Sequence, residues 1–397
     1  MVRINYQASA CALAVAGALA WDGLTAHADH DRDDGHGRRH GRGSRTVFVV
    51  AMENHNWTQP PTVASPQQIF MNPEAPFINS LVNGTSGISG QVAYATNYLN
   101  AGVGIHPSEP NYIWAEAGTN FGVNNDDNPY HSDCSPDTVQ TTDQHLSAFL
   151  TKAKRTWRSY QEDTDVDLTT NVPLPRSSWT VPLFSVSGVF GSGGVNSYNY
   201  SNQYNYASKH NPMVFFSDTA GGCNTTPSNP QRLQYAPLQQ LALDLQRDEV
   251  ANYNWITPNQ FNDQHTTLTN GYGGAAGSPL RTDAARIAQG DNVLARIVPL
   301  LMASKAYKDQ GIIVLWWDES EGGDTSAFTM PFIVISKDAH ENVGGKPLAS
   351  SVEYSHSSFL RTMQEIFDVD PDDGFPWLGG AVNAHDLSAL FKPGTLK

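Results

Sequence analysis

The alternation of apolar and polar positions sorts the chain into elements before any residue is asked about chemistry. Residues 46–52 (TVFVVAM) are an unbroken apolar, β-branched run, the pattern of a strand buried on both faces, and they end in Glu53, Asn54, His55 and Asn56. A matching run at 311–317 (GIIVLWW) ends in Asp318, Glu319, Ser320 and Glu321. Two buried strands thus release acidic and amide side chains at their C-terminal ends, where open α/β sheets gather ligands. Residues 156–161, 213–216 (MVFF) and 330–336 (MPFIVIS) are further strand candidates. Helices are predicted at 147–155, at 237–249 through Leu238, Leu241 and Leu245, at 282–305 and at 357–367. Strands and helices alternate, which predicts an α/β fold: a three-layer α/β/α sandwich around a mainly parallel central sheet.

The pattern fails at both ends of the first 44 residues, and composition explains why. Arg3, the apolar run 10–21 and the small-x-small triplet Ala26, His27, Ala28 read as an export signal over residues 1–28, the alternative being a buried core helix. Residues 29–44 (DHDRDDGHGRRHGRGS) hold no apolar side chain and read as a disordered, His-rich leader. Residues 45–397 are then long enough for one large catalytic domain. Within it, segment 171–206 turns rich in Ser, Gly, Asn and Tyr, as a loop or cap insertion that either lines the substrate entrance or covers a sheet edge. A secreted or periplasmic protein is expected, with no stable membrane insertion. An oxidising compartment would permit a disulfide between Cys134 and Cys223, although sequence alone does not show their geometry. The formal net charge of −15 disfavours nucleic acid as a partner, and an anionic substrate would need a local cation to overcome it.

Candidate chemistry lies at the strand ends and in three polar clusters. Glu53 and Asn54 on one strand end, with Asp318 and Glu319 on the other, supply four oxygen donors for a hard cation; helix caps or turns are the bland alternative. His106 to Tyr112 reads HPSEPNY, where two prolines bracket Ser108 and Glu109 and are expected to keep a helix from crossing the hydroxyl. A serine is a poor nucleophile until a base or metal activates it, so Ser108 gains its interest from the carboxylates. Asn111 is expected to offer its amide to a phosphoryl oxygen, and Lys209, His210 and His265 are candidates for an anion clamp and a leaving-group acid. No GxSxG elbow, Walker loop, HExxH or paired CxxC occurs.

VFVVAMEN at 47–54, HPSEPNY at 106–112, TWRSYQED at 156–163, KHNP at 209–212, NDQH at 262–265, WDESEGG at 317–323 and YSHSSFLRT at 354–362 together resemble the phosphoesterase family. That family joins acid phosphatases with bacterial phospholipases C inside the alkaline phosphatase superfamily. The resemblance implies an alkaline phosphatase-like sandwich with one divalent cation at the strand ends. It implies Glu53, Asn54, Ser108, Asp318 and Glu319 as metal ligands, Ser108 also as nucleophile, and His210 and His265 as holders of the phosphoryl group or as acid. Asn111, His106 and Lys209 are the substrate-binding candidates, and His356 either touches metal or caps the last helix. Calcium, magnesium or manganese suits the oxygen donors, while the histidines leave zinc or iron open. Phospholipase C members usually continue ENRSFDHYFG where this chain has ENHNWTQP, which favours the acid phosphatase branch. The expected function is hydrolysis of small phosphate monoesters through phosphoserine. A phosphodiesterase or phospholipase C is the alternative within enzymes, and a non-catalytic metal- or phosphate-binding protein the alternative outside them.

Overall fold

A computed structural model describes residues 45–275, 278–342 and 344–396; the expected export signal and leader lie outside them. In chain order, β1 (Val47–Met52), α1 (Pro76–Asn83), β2 (Val92–Ala95), α2 (Ser108–Ala117), α3 (Leu146–Lys152) and β3 (Trp157–Gln161) come first. A hairpin of β4 (Val186–Val189) and β5 (Gln203–Tyr206) then precedes α4 (Ser217–Ala220), β6 (Tyr235–Pro237), α5 (Gln240–Arg247) and β7 (Tyr253–Thr257). A second hairpin, β8 (Tyr272–Ala275) with β9 (Ser278–Leu280), leads into α6 (Thr282–Ala303) and α7 (Lys305–Lys308). After them follow β10 (Ile312–Trp317), β11 (Phe332–Ser336), β12 (Glu341–Asn342), β13 (Lys346–Ser350) and α8 (His356–Ile366).

The predicted α/β class is borne out. Nine strands form one sheet in the order β12-β13-β2-β11-β10-β1-β7-β3-β6. The neighbours β10, β1, β7, β3 and β6 all pair in parallel, whereas β11 runs against both β10 and β2, so the sheet is mixed and mostly parallel. Every residue of β1 and β10 is buried, as their unbroken apolar runs require of strands covered on both faces. Successive side chains on β10 show the two covers directly. Trp316 packs edge-on against Tyr112 of α2 and donates to His356 of α8; Trp317 donates to Gln264, which in turn donates to the Ile287 carbonyl of α6.

Register places the chemistry. Met52 pairs with Trp317, so Glu53 and Asp318 leave neighbouring strands side by side, roughly 4.8 Å apart in the sheet's lateral direction. On the other side of β1, Val50 pairs with Ile256 of β7, whose following turn carries Asn262, Asp263 and His265.

Three local expectations need correction. Residues 213–216 are no strand: Pro212–Phe215 is a 3-10 turn, and a short apolar run between proline and a buried core does not reveal its own period. The helix expected from residue 237 begins only at Gln240, because Tyr235–Pro237 pairs with β3 as an edge strand. The prolines around Ser108 do not prevent a helix. α2 starts at Ser108 with Pro107 as its flanking residue, and Pro110 sits in the first turn, where a missing N–H breaks no internal bond.

Candidate functional site

Three strand ends and one helix start meet at the carboxyl edge. Asn54 takes a positive φ of 48°, a left-handed conformation that asparagine tolerates, and this turn aims its N–H at Asp318 Oδ1, 3.0 Å away. Its side-chain amide donates to Glu319 Oε1 at 3.3 Å and Glu321 Oε1 at 2.6 Å. Ser108, the first residue of α2, is buried and its hydroxyl lies 3.1 Å from Glu53 Oε2 and 3.2 Å from Glu319 Oε1. Glu53, Asn54, Ser108, Asp318 and Glu319 are therefore one cluster, as the sequence implied.

The second oxygen of Glu53 faces a different set. Oε1 accepts from the Tyr112 hydroxyl at 2.5 Å and lies 3.2 Å from His210 Nε2. His210 Nδ1 is 3.1 Å from Asp263 Oδ2, and its ring stacks on Tyr112 with centroids 5.2 Å apart. Lys209 reaches past it to donate to His265 Nε2 at 3.1 Å and to Asp126 Oδ2 at 2.7 Å. Glu53, His210 and His265 each offer a ligand atom within 4.8 Å of the others, a group that could hold a metal ion. Asn54 Oδ1, Asp318 Oδ2 and His265 Nδ1 are buried with no hydrogen-bond partner among the described residues. Buried polar atoms left without a partner are costly unless a ligand engages them, so the two bare oxygens fit a bound cation.

The electrostatics point the same way. Burial, reinforced by Asp318 and Asp263, raises the Glu53 carboxyl well above its usual range; burial and then Glu319 do the same to Asp318, and burial to Asp263. Burial, then Lys209 and His265, hold His210 well below the usual imidazole range, and burial with Lys209 brings His265 down to about 3. Both rings are thus held toward the neutral form, each with one N–H to donate and one bare nitrogen to accept. His106 behaves oppositely. It is partly exposed, its Nδ1 contacts Glu319 Oε2 and its Nε2 lies 2.8 Å from Asp324 Oδ1, and the Glu319 hydrogen bond lifts its pKa to about 9 despite partial burial.

Two candidates are taken up by the frame, and Asn111 is one of them, its amide turned to backbone carbonyls where the sequence expected it to face a phosphoryl oxygen. The Asn111 amide donates to the carbonyls of Ile105 at 3.0 Å and Pro107 at 3.4 Å, tying down the loop before Ser108. His356, buried at the start of α8, reaches the Asp318 carbonyl at 2.5 Å and so props the strand end from behind. Tyr112, Asp263 and Glu109 escaped assignment, although each lies inside or beside a quoted motif. Burial pushes the Glu109 carboxyl up to about 9, one residue after Ser108. Nothing in their sequence positions signals these contacts, which form only when β1, α2 and the turn after β7 converge.

A parallel sheet edge that gathers serine, carboxylates, neutral histidines and a lysine defines a class, the hydrolases of phosphoric esters. A model of the Phosphoesterase family matches residues 102–370, more than half of the chain, and the chain belongs to that family. It is 27% identical over 345 residues to the phosphatidylinositol-3-phosphatase of Mycobacterium tuberculosis, covering 87% of this chain and 82% of the relative. It is 25% identical over 236 residues to the phosphate-repressible acid phosphatase of Penicillium chrysogenum, covering 59% of this chain but only 42% of that relative. Among solved structures, the lipoteichoic acid synthase LtaP of Listeria monocytogenes aligns over 86% of this chain and 76% of its own, with 10% identity and a TM-score of 0.45.

Proposed function

We propose that the chain is a secreted, metal-dependent phosphatase that cleaves phosphate monoesters through a phosphoserine at Ser108. The observation that carries this reading is the Ser108 hydroxyl, buried at a helix start and 3.1–3.2 Å from two carboxylates. Glu53, Asn54, Ser108, Asp318 and Glu319, with His210 and His265 on the far side of Glu53, would hold a hard divalent cation. When bound, it supplies the positive charge that lets the carboxylates stay ionised together and eases loss of the serine proton.

The chain's own residues do the rest. Ser108 Oγ passes its proton to Glu53 or Glu319 as the Oγ–P bond forms and the bond from phosphorus to the leaving oxygen breaks. Lys209 places a cation beside the phosphoryl oxygens. His210 and His265, held toward the neutral form by burial, orient the phosphoryl group. His106, held protonated across the neutral range, is the acid assigned to the leaving alkoxide. Water then attacks phosphoserine, releasing phosphate and restoring the hydroxyl. The names of the two relatives, both phosphatases, support monoesters over diesters. The export-like residues 1–28 and the disulfide support secretion.

The test uses p-nitrophenyl phosphate beside bis(p-nitrophenyl) phosphate. Ser108→Ala should lower monoester turnover by roughly 10³-fold or more while the folded protein still binds its metal. Full activity in Ser108→Ala removes the phosphoserine mechanism, and a wild-type preference for the diester removes the monoester assignment.

A further inference from the structure

We propose that Asp126 is a positioning residue for this site, a single carboxylate that links the helix bearing Ser108 to Lys209 and fixes where the Lys209 ammonium stands. The proposal rests on the reading of Lys209 as a phosphoryl donor. Asp126 lies in the loop between α2 and α3, far in sequence from Lys209. Its Oδ1 accepts the N–H of Glu109, the residue after the nucleophile, at 3.1 Å; its Oδ2 accepts from Lys209 Nζ at 2.7 Å. The lysine side chain is 11% exposed and the aspartate 32%, so the pair is shielded more than an ordinary surface ion pair.

The geometry shows why a flexible lysine needs such an anchor. Lys209 stands close enough to Glu53, Asp126 and Asp318 to feel all three acids. An ammonium on a four-carbon stem, left free, is drawn toward Glu53, the carboxylate shared by Ser108 and His210. Asp126 holds it instead on the His265 side, 3.1 Å from Nε2. The same loop grips the preceding residue. Asn128 Oδ1 accepts from the Ser208 hydroxyl and from the Ser185 N–H, both at 2.8 Å. Farther along, Cys134 ties the loop to Cys223.

Asp126→Asn separates positioning from mere support of the helix. Its Oδ1 still accepts from Glu109, but its NH₂ faces an ammonium, two donors with nothing to share. The experiment compares the wild type with Asp126→Asn, Lys209→Ala and the double variant, measuring kcat and KM for p-nitrophenyl phosphate and competitive inhibition by inorganic phosphate. Asp126→Asn should lower kcat/KM by roughly 10- to 100-fold and weaken phosphate inhibition, with its melting temperature near wild type. In the Lys209→Ala background it should change either quantity by no more than about twofold. An equal loss in both backgrounds, or wild-type kinetics in Asp126→Asn, overturns the proposal. Wild-type kinetics in Lys209→Ala alone instead overturns the phosphoryl-donor reading beneath it. Should Asp126→Asn melt early, Asp126→Ser in the same cycle gives the same decision.

Discussion

Ser108 owes its place to a helix start that its flanking prolines were expected to forbid. Proline disrupts a helix by withholding an N–H and crowding the preceding turn, but neither penalty applies in the first turn, so HPSEPN opens α2 and buries the hydroxyl beside Glu53 and Glu319. His106, two residues earlier, is the charged histidine of the site. Its hydrogen bonds to Glu319 and Asp324 raise its pKa from 6.5 to about 9, so its proton is present below that value and is lost as pH rises through it. With an alkyl phosphate, whose leaving group needs protonation, activity should fall above about pH 9 and His106→Gln should lower the rate by roughly 10²-fold; an aryl phosphate should lose much less. Equal losses on both substrates would remove His106 as the acid. Stability follows the same sign: the contribution of the His106 pairs is fully present below the unfolded imidazole pKa and fades as pH rises through about 9. The sequence expects His210 and His265 to hold the phosphoryl group or to protonate the leaving group; burial, with Lys209 close by, holds both imidazoles below their usual range, and no single-residue pattern reports burial.

At the scale of elements, α6 illustrates how a helix on one face of the sheet shapes a site at its edge. Its apolar spacing was legible as far as residue 303, and it packs against α1, whose first N–H groups are capped by Asp291: Oδ1 takes Ile78 at 2.8 Å and Oδ2 takes Phe77 at 3.0 Å. Gly290, mid-helix, would look like a flaw by propensity. It exists for closeness. A Cβ there would come within 2.3 Å of Gln264 Cγ and 2.8 Å of Met52 Cε, and Gln264 sits between Asp263 and His265 with a positive φ of 87°. Gly290→Ala should therefore destabilise by about 1–3 kcal/mol despite its better helix propensity, and should also lower phosphatase activity. Urea melts and kinetics check it; an unchanged midpoint would show that Gln264 yields without cost. Segment 171–206 was legible only as unusual. Part of it is a hairpin, because Val186–Val189 pairs with Gln203–Tyr206 across a connection, 190–202, whose polar residues carry no clear alternation.

Across the whole molecule, Cys134 and Cys223 close a pair 89 residues apart, with Cα atoms 5.6 Å from each other, inside the usual range for a disulfide. Spacing left that pairing open; the approach of the loop after α2 to the segment after α4 decided it. Replacing both cysteines by serine should cost about 2–4 kcal/mol, chiefly by freeing the unfolded chain, and should leave the carboxylate cluster in place. Denaturant unfolding of oxidised protein beside the double variant measures this, and coincident curves would show that the bond is not formed in solution. The described residues include no helix long and apolar enough to cross a membrane.

What the sequence determined by itself was whatever depends on neighbours along the chain. Unbroken apolar runs specify strands buried on both faces, and the residues that end them must emerge at the sheet's edge, so Glu53, Asn54, Asp318 and Glu319 could be placed together before any fold was seen. Tertiary structure alone decided the rest: that β11 runs backwards, that α2 begins on Ser108, that burial holds the His210 and His265 imidazoles below their usual range, and that Asp126 meets Lys209 across 83 residues. The physical reason is common to all four. Burial and through-space contact between distant segments set charge, direction and partner, and neither leaves a periodic trace in the chain.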